Sequence, residues 1–286
     1  MHGILVVNKD LGYTSRDVVN IVSNKLKTKK VGHTGTLDPM ASGVLVLCLG
    51  NGLKLCEMLT NHDKEYIAGI TLGIETDTLD MEGKVLSTKY VDISKEKIIN
   101  AVSSFKGSYM QEVPKYSAVK VNGKKLYEYA RNNIDVRLPS KLVNIHDIEI
   151  IDDIIYDEGK IHFKIRTTVS KGTYIRSLVR DIGTKLNTPA VMNSLIRNRL
   201  GEFTLEQANS IDDIKNGNLK LIPILDVLSN MRKIIVDDDM AFKIRNGVIM
   251  EPFFEEDKAL IIDNKNNIIA IYENVDNKAK VYKMFN

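Results

Sequence analysis

The chain of 286 residues is long enough for one large or two medium domains, is 43% hydrophobic and 27% charged, and carries a formal net charge of only +3. These values describe a folded globular protein and exclude disordered, collagen-like and disulfide-dense classes. No apolar run approaches the ~18 residues that span a bilayer, and the N-terminal apolar stretch is too short for a secretion signal, so no membrane partner and a cytoplasmic location are expected.

In chain order, "GILVV" (3–7) predicts a short buried strand. Thr14 and Asp17 have capping-box spacing, and Val18, Val22 and Leu26 recur at helical intervals. "VLVLCLG" (44–50) and "YIAGITLG" (66–73) predict further strands, the second running into the acidic turn "ETDTLDMEG" (75–83). "SKEKIINAVSSFKG" (94–107) predicts a surface helix stopped by Gly107. The clearest strand is 160–169, where Ile161, Phe163, Ile165, Thr167 and Val169 alternate with polar residues. After a tight Ser-Lys-Gly turn, an apolar stripe of Tyr174, Ile175, Leu178, Val179, Ile182 and Leu186 predicts a helix. Beyond residue 230, segments 259–273 and 280–285 predict three short strands in an appendage too small to be stable alone and therefore docked on the body. The expected class is α+β: a mixed, largely antiparallel central sheet flanked by helices in residues 1–228, and a small β-rich domain in 229–286.

Charge is unevenly distributed. Between Lys160 and Arg199 nine Lys/Arg face one acid, Asp181. "KLKTKK" (25–30) and 115–131 are further basic clusters. A basic face on a nearly neutral body is the footprint of a polyanion partner, with scattered solvated charge as the simpler alternative. Within "VGHTGTLDPMASGVLVL" (31–47), Asp38 is either a turn or capping residue before Pro39 or a carboxylate that the loop presents. Arg176 and Arg180, at i and i+4, repel one another unless an anion relieves them or both point into water. Asp181 adjoins Arg180 without facing it across a turn, and Arg176 is the better ion-pair partner for a functional Asp38. Tyr66 suits either core packing or base stacking, and His33 either a turn or a general base. Carboxylates at 77, 80 and 82 do not complete a calcium loop, and Cys48 and Cys56 fit no zinc spacing, so no metal is expected.

Read in order, "GILVVNKDLGYTS", "VGHTGTLDPMASGVLVLCLG", "DKEYIAGITLGIETDTLDMEG", "VPKYSAVKVNGKKLYEYAR", "VSKGTYIRSLVRDIG" and "SLIRNRLGEFTLEQA" resemble the successive motifs of the TruB family of tRNA pseudouridine synthases. The resemblance runs from about residue 3 to 208, and the tail resembles, more weakly, a PUA-like RNA-binding domain. It implies the pseudouridine-synthase fold and cofactor-free isomerisation of uridine to pseudouridine in the tRNA T-loop (position 55), with the base flipped into a pocket. It further implies that Asp38 is the essential carboxylate, that Tyr66 stacks on the target base near C5, and that Arg176 pairs with Asp38. Leu195 would be an apolar wall, His33 would hold the rearranged T-loop, and Lys9 and Tyr174 would border the site. Lys120, in an insertion at about 112–145 that grips the T-arm, and Arg197 would be further RNA contacts, with the 160–199 run on backbone phosphates. The carboxylate can attack the sugar, attack the base or remove a sugar proton, and all three stay open. The chain departs from the family at Asp10 (commonly Pro), Ile196 (commonly Arg) and Val191 (commonly His). A monomer without an obligate protein partner is expected. The rival readings are a tRNA-folding chaperone with catalysis secondary, a guide-RNA-dependent relative, and a metal-dependent RNA hydrolase.

Overall fold

The computed structural model describes residues 1–285. β1 (Gly3–Lys9) is followed by α1 (Ser15–Lys25), the short β2 (Val31–His33) and β3 (Ala41–Leu49). The expected capping box starts α1: Thr14 N donates to Asp17 Oδ2 at 2.8 Å and Asp17 N to Thr14 Oγ1 at 3.1 Å. β1 and β3 pair antiparallel without interruption, from Gly3 opposite Leu49 to Lys9 opposite Gly43. Successive side chains of a strand point to opposite faces, and here the two faces feed two cores. Leu5, Val7, Leu45 and Leu47 meet Val18 and Val22 of α1. Ile4, Val6, Val44, Val46 and Cys48 belong to the other cluster.

A 3-10 turn (Gly50–Leu55) and α2 (Cys56–Thr60) lead into β4 (Lys64–Leu72). The hairpin β5 (Ile74–Thr76) and β6 (Val85–Thr88) encloses the acidic turn. α3 (Lys95–Ser103) is shorter than its sequence pattern predicts, and Gly107, at φ 110°, opens β7 (Gly107–Glu112) instead of capping the helix. A small hairpin, β8 (Lys120–Val121) and β9 (Lys124–Lys125), and α4 (Leu126–Arg131) stand off the sheet. The chain rejoins it at β10 (Ser140–Ile150), so the last residues of the expected insertion are sheet. β11 (Ile155–Asp157) and β12 (Lys160–Val169) follow. β12 matches its predicted span and alternation, with Ile161, Phe163, Ile165, Thr167 and Val169 buried. α5 (Ile175–Lys185) has Tyr174 at its N-cap and buries Ile175, Leu178, Val179 and Ile182.

After β13 (Ala190–Leu200) and β14 (Phe203–Thr204) come α6 (Ile211–Asn216), β15 (Leu221–Ile222) and α7 (Ile224–Val227). Eleven strands make one sheet whose main path is β15-β1-β3-β13-β4-β12-β10-β7. Every pairing is antiparallel except β3 with β13, where Leu195, Ile196 and Arg197 lie beside Ala41, Ser42 and Gly43. The sheet is therefore mixed and largely antiparallel, as the sequence predicts.

The tail forms a second sheet in the order β16 (Arg232–Val236), β17 (Lys258–Asp263), β18 (Ile268–Val275) and β19 (Lys278–Met284), with α8 (Asp238–Arg245) against it. One strand more than predicted is present, because β16 adds parallel to β17. Alternation again serves two cores: Ala259 and Ile261 join Ile244 and Tyr272 inside the tail, whereas Leu260 and Ile262 join Ile4 and Val6 of the body. Lys283 pairs with Glu57 at 2.9 Å, and Lys54 donates to the Met284 carbonyl, fastening the last strand to the α2 region. No helix among the described residues is long and apolar enough to cross a membrane.

The parallel β3–β13 contact depends on Gly43, whose φ is 105° and whose Cβ, if it had one, would lie 2.3 Å from the Arg197 carbonyl oxygen. Gly43→Ala is expected to destabilise the protein by about 2 kcal/mol or more. A lower urea midpoint at constant m would show this, and an unchanged midpoint would mean that the two strands can part here without loss.

Candidate active site

The loop between β2 and β3 is tied down on both sides of Asp38. Ser15 Oγ, at the start of α1, accepts from Leu37 N at 2.8 Å and donates to Leu37 O at 3.2 Å. Lys9 is fully buried, and its Nζ donates to Tyr13 O at 2.6 Å, Asp10 O at 3.0 Å and Pro39 O at 3.5 Å. Ala41 N donates to Asp38 O at 3.0 Å. Asp38 thus begins a turn into a strand and caps no helix, and its side chain is 37% exposed.

Arg176, in the first turn of α5, supplies the partner. Its Nη2 lies 3.0 Å from Asp38 Oδ2, and its Nη1 lies 3.5 Å from Asp80 Oδ2. Nη1 also donates to Thr78 O at 3.0 Å, and Nη2 to Tyr116 O at 3.1 Å. Asp80 is itself fixed, its Oδ1 accepting from Thr78 Oγ1 at 2.6 Å and from Glu82 N at 3.2 Å. The buried guanidinium is satisfied by two carboxylates and two carbonyls drawn from three distant loops. Asp38 Oδ1 accepts no hydrogen bond from the described residues and stays available. Gln111 clamps the entry to α5: its Oε1 accepts from Tyr174 N at 2.8 Å, and its Nε2 donates to Tyr174 O at 3.1 Å.

These groups surround a cavity of about 530 Å³ lined by Asp38, Tyr66, Tyr174, Arg176, Leu195 and Arg197, together with Lys64, Lys171, Tyr116 and Tyr127. Tyr66 reaches it from β4, opposite Arg197 of β13, and the parallel β3–β13 register brings Leu195 beside the strand that follows Asp38. The floor is an ion pair and the walls are aromatic and aliphatic, which suits a planar polar ring held beside a carboxylate.

Six of the nine residues singled out from the sequence therefore meet at one cavity, and three do not line it. Lys9 lies behind the Asp38 loop as a clamp. His33 ends β2, with its ring half-buried and Nδ1 without a hydrogen-bond partner among the described residues. Burial, reinforced by the Arg16 and Arg197 cations, lowers its pKa below the ordinary value, so it is neutral at pH 7. Lys120 is exposed on β8. Arg197 is buried, donating from Nε to Val44 O at 2.7 Å and from Nη2 to Gly35 O at 3.2 Å, so most of its fork holds the loop rather than facing solvent.

Two electrostatic expectations need correction. The 160–199 run is not unopposed by acids, because Lys164 pairs with Asp152 (2.8 Å), Arg166 with Glu149 (3.1 Å) and Arg199 with Glu65 (3.8 Å). Sequence counting within the run overlooks acids that strand pairing brings alongside. Arg180 also meets its neighbour Asp181, at 2.8 Å, as well as Glu112 at 3.1 Å, because adjacent side chains curl together at the helix edge. Sequence reasoning missed Asp80 and Lys64. The signal for Lys64 was available: two residues before Tyr66 on a strand, it must share that residue's face. No group of three or more His, Cys, Asp and Glu side chains able to hold a metal occurs among the described residues.

Comparison with known proteins places the chain in a family. Residues 23–175 match the TruB family pseudouridylate synthase (N terminal domain). The chain belongs to the TruB family. It is 41% identical over 286 residues to the tRNA pseudouridine synthase B of Bacillus subtilis (strain 168), covering 95% of this chain and 93% of that protein. It is 40% identical over 297 residues to the tRNA pseudouridine synthase B of Bacillus pumilus (strain SAFR-032), covering 99% and 96%. The fold is shared with chains of solved H/ACA assemblies. An H/ACA RNP bound to a substrate RNA containing 2′-deoxyuridine superposes with a TM-score of 0.69 at 22% identity, over 99% of this chain and 85% of that one. The archaeal box H/ACA sRNP Nop10-Cbf5 complex gives 0.68 at 23% identity, over 99% and 86%. The match to the TruB family model stops one residue short of Arg176, whereas the two Bacillus relatives align over nearly the whole chain.

Arg176→Gln would leave Asp80, 7% exposed, facing no cation. Most of the loss is expected from that buried carboxylate, with less from the more exposed Asp38, about 3 kcal/mol in total. Urea denaturation measures it, and an unchanged midpoint would show that the guanidinium serves only chemistry.

Proposed function

We propose that this protein isomerises uridine to pseudouridine in the T-loop of tRNA, at position 55, without a cofactor. The observation that carries the reading is the Asp38–Arg176 pair at the floor of a base-sized cavity walled by Tyr66 and Leu195. The target base is flipped out of the RNA at a cost of a few kcal/mol and stacks on Tyr66. The N1–C1′ bond breaks, the uracil turns, C5 bonds to C1′, C5 loses its proton and N1 gains one. The reaction neither adds nor removes electrons, so it balances without a redox partner. Arg176 holds Asp38 Oδ2 in place, and Oδ1 is the oxygen offered to the nucleotide. Tyr66 sits where the C5 proton must leave.

On this reading residues 1–228 carry the chemistry. Off-sheet residues within 112–145, including Lys120, grip the T-arm, and the 229–286 sheet adds an RNA contact. His33 and Tyr174 steady the remodelled loop. The protein acts in the cytoplasm as a monomer without a protein partner.

The test is tritium release from a tRNA transcript labelled at uridine C5, with the purified protein in EDTA. Wild type is expected to release up to one equivalent per tRNA, and Asp38→Asn none, with affinity kept within about tenfold, ~1.4 kcal/mol. Tight binding without release by wild type would favour a tRNA-folding role instead. Tyr66→Phe keeps the stacking face, so near-normal binding with strongly reduced turnover is expected, and normal turnover would confine Tyr66 to stacking.

A further inference from the structure

Apart from Arg176, the cavity is bordered by two buried cations that the chemistry above does not use. Lys64 and Arg197 are 7% and 1% exposed. Lys64 shares a face of β4 with Tyr66, and Arg197 lies opposite Tyr66 on β13, so the three side chains form one patch. Lys64 Nζ donates to Thr60 O at 2.8 Å and His62 O at 2.6 Å, leaving one of its three N–H bonds unused among the described residues. Arg197 donates to Val44 O and Gly35 O, leaving Nη1 without a hydrogen bond among the described residues.

All four acceptors are neutral carbonyls. Among the described residues, neither cation has a carboxylate within ion-pair distance. Asp38 and Asp80 are both turned to Arg176, and Asp63 bonds His146 at 3.2 Å. At the mouth Lys171 adds a third positive charge, its Nζ donating to Asn61 Oδ1 at 2.5 Å. Burying charge without a counter-ion is costly, and two such charges beside an open cavity define where an anion would be held.

We propose that Lys64 and Arg197, with Lys171 at the mouth, form an anion subsite that takes one phosphodiester of the RNA backbone next to the nucleotide in the cavity. The proposal rests on the isomerase reading. It also explains the state of Lys64, whose pKa is lowered to about 8, first by burial and then by the Arg197 cation, with Lys171 adding to the repulsion and Asp63 opposing it. The His62 ring packs on Gly201. A bound phosphate favours protonated Lys64 and raises its pKa. RNA affinity should therefore be greatest below pH 8 and decline as pH rises through the free value towards the bound one.

The experiment uses the full chain and a T-arm stem-loop RNA carrying a neutral methylphosphonate on the 5′ or the 3′ side of the target uridine. At one of these linkages the wild-type Kd is expected to rise about tenfold, the effect of one charge-assisted contact. Lys64→Gln, already about tenfold weaker on unmodified RNA, should change less than twofold on the same substitution and lose the affinity decline between pH 7 and 9. Lys64→Arg, which keeps the charge, should keep the linkage discrimination. Equal weakening of wild type and Lys64→Gln, or none at either linkage, would overturn the subsite and leave Lys64 as a cap on the α2 carbonyls. Tritium release separates the two levels: no isomerisation by wild type removes the parent reading, whereas isomerisation without linkage discrimination removes only the subsite.

Discussion

The arrangement turns on one buried guanidinium. A charge as enclosed as Arg176 costs several kcal/mol unless it is fully matched, and the matching partners lie far apart in the chain. Asp38 comes from the β2–β3 loop, Asp80 and the Thr78 carbonyl from the β5–β6 turn, and the Tyr116 carbonyl from the off-sheet segment after β7. The planar fork gives each partner its own direction, which a lysine could not do. The same contacts that satisfy the charge therefore fix one carboxylate oxygen of Asp38 and gather three loops around a cavity. Removing any one of them would loosen the other two.

That fork could not be met without the sheet. The one parallel pairing of the eleven-stranded sheet, β3 with β13, sets Leu195 beside Ala41 and hence beside the turn that Asp38 begins. Its close approach requires Gly43, because a side chain there would collide with the Arg197 backbone. Strand alternation then uses both faces. One carries the core under α1 and α5, and the other carries the cluster into which Leu260, Ile262 and Phe285 of the tail pack. The tail is thereby joined by apolar burial as well as by the Lys283–Glu57 pair, and it touches the 50–60 segment immediately before β4.

What the sequence made legible follows from range. β12 was readable because its alternation is strict over ten residues, and α1 because its capping box is local. β13 was not, since bulges between Met192 and Ser194 and between Arg197 and Arg199 break its period, and β10 carries a bulge between Ile145 and Asp147. β16 was missed because a parallel partner beyond a helix leaves no hairpin signal. At the site, the Asp38–Arg176 pairing was expected from a family resemblance and from the repulsion of two arginines. Asp80 was not, because an acidic turn looks solvated until the fold encloses it. The family resemblance set Lys9 at the border of the site and Arg197 on the RNA, and burial directed both largely onto backbone carbonyls.

A carboxylate offered to a polyanion poses an electrostatic problem that this geometry answers. Phosphates within the ~8–10 Å reach of unscreened charge would oppose Asp38 if it stood alone. Here Arg176 lies at 3.0 Å, and Lys64, Lys171 and Arg197 border the same cavity. The 160–199 run contributes less than its sequence density suggests, because Lys164, Arg166 and Arg199 are matched by acids from neighbouring segments. Three cations besides Arg176 are thus gathered where the cavity opens. On the proposed reading that concentration does two things at once. It draws the backbone of one nucleotide to the mouth, and it leaves a single carboxylate oxygen, Asp38 Oδ1, as the negative group that the flipped base and its sugar encounter.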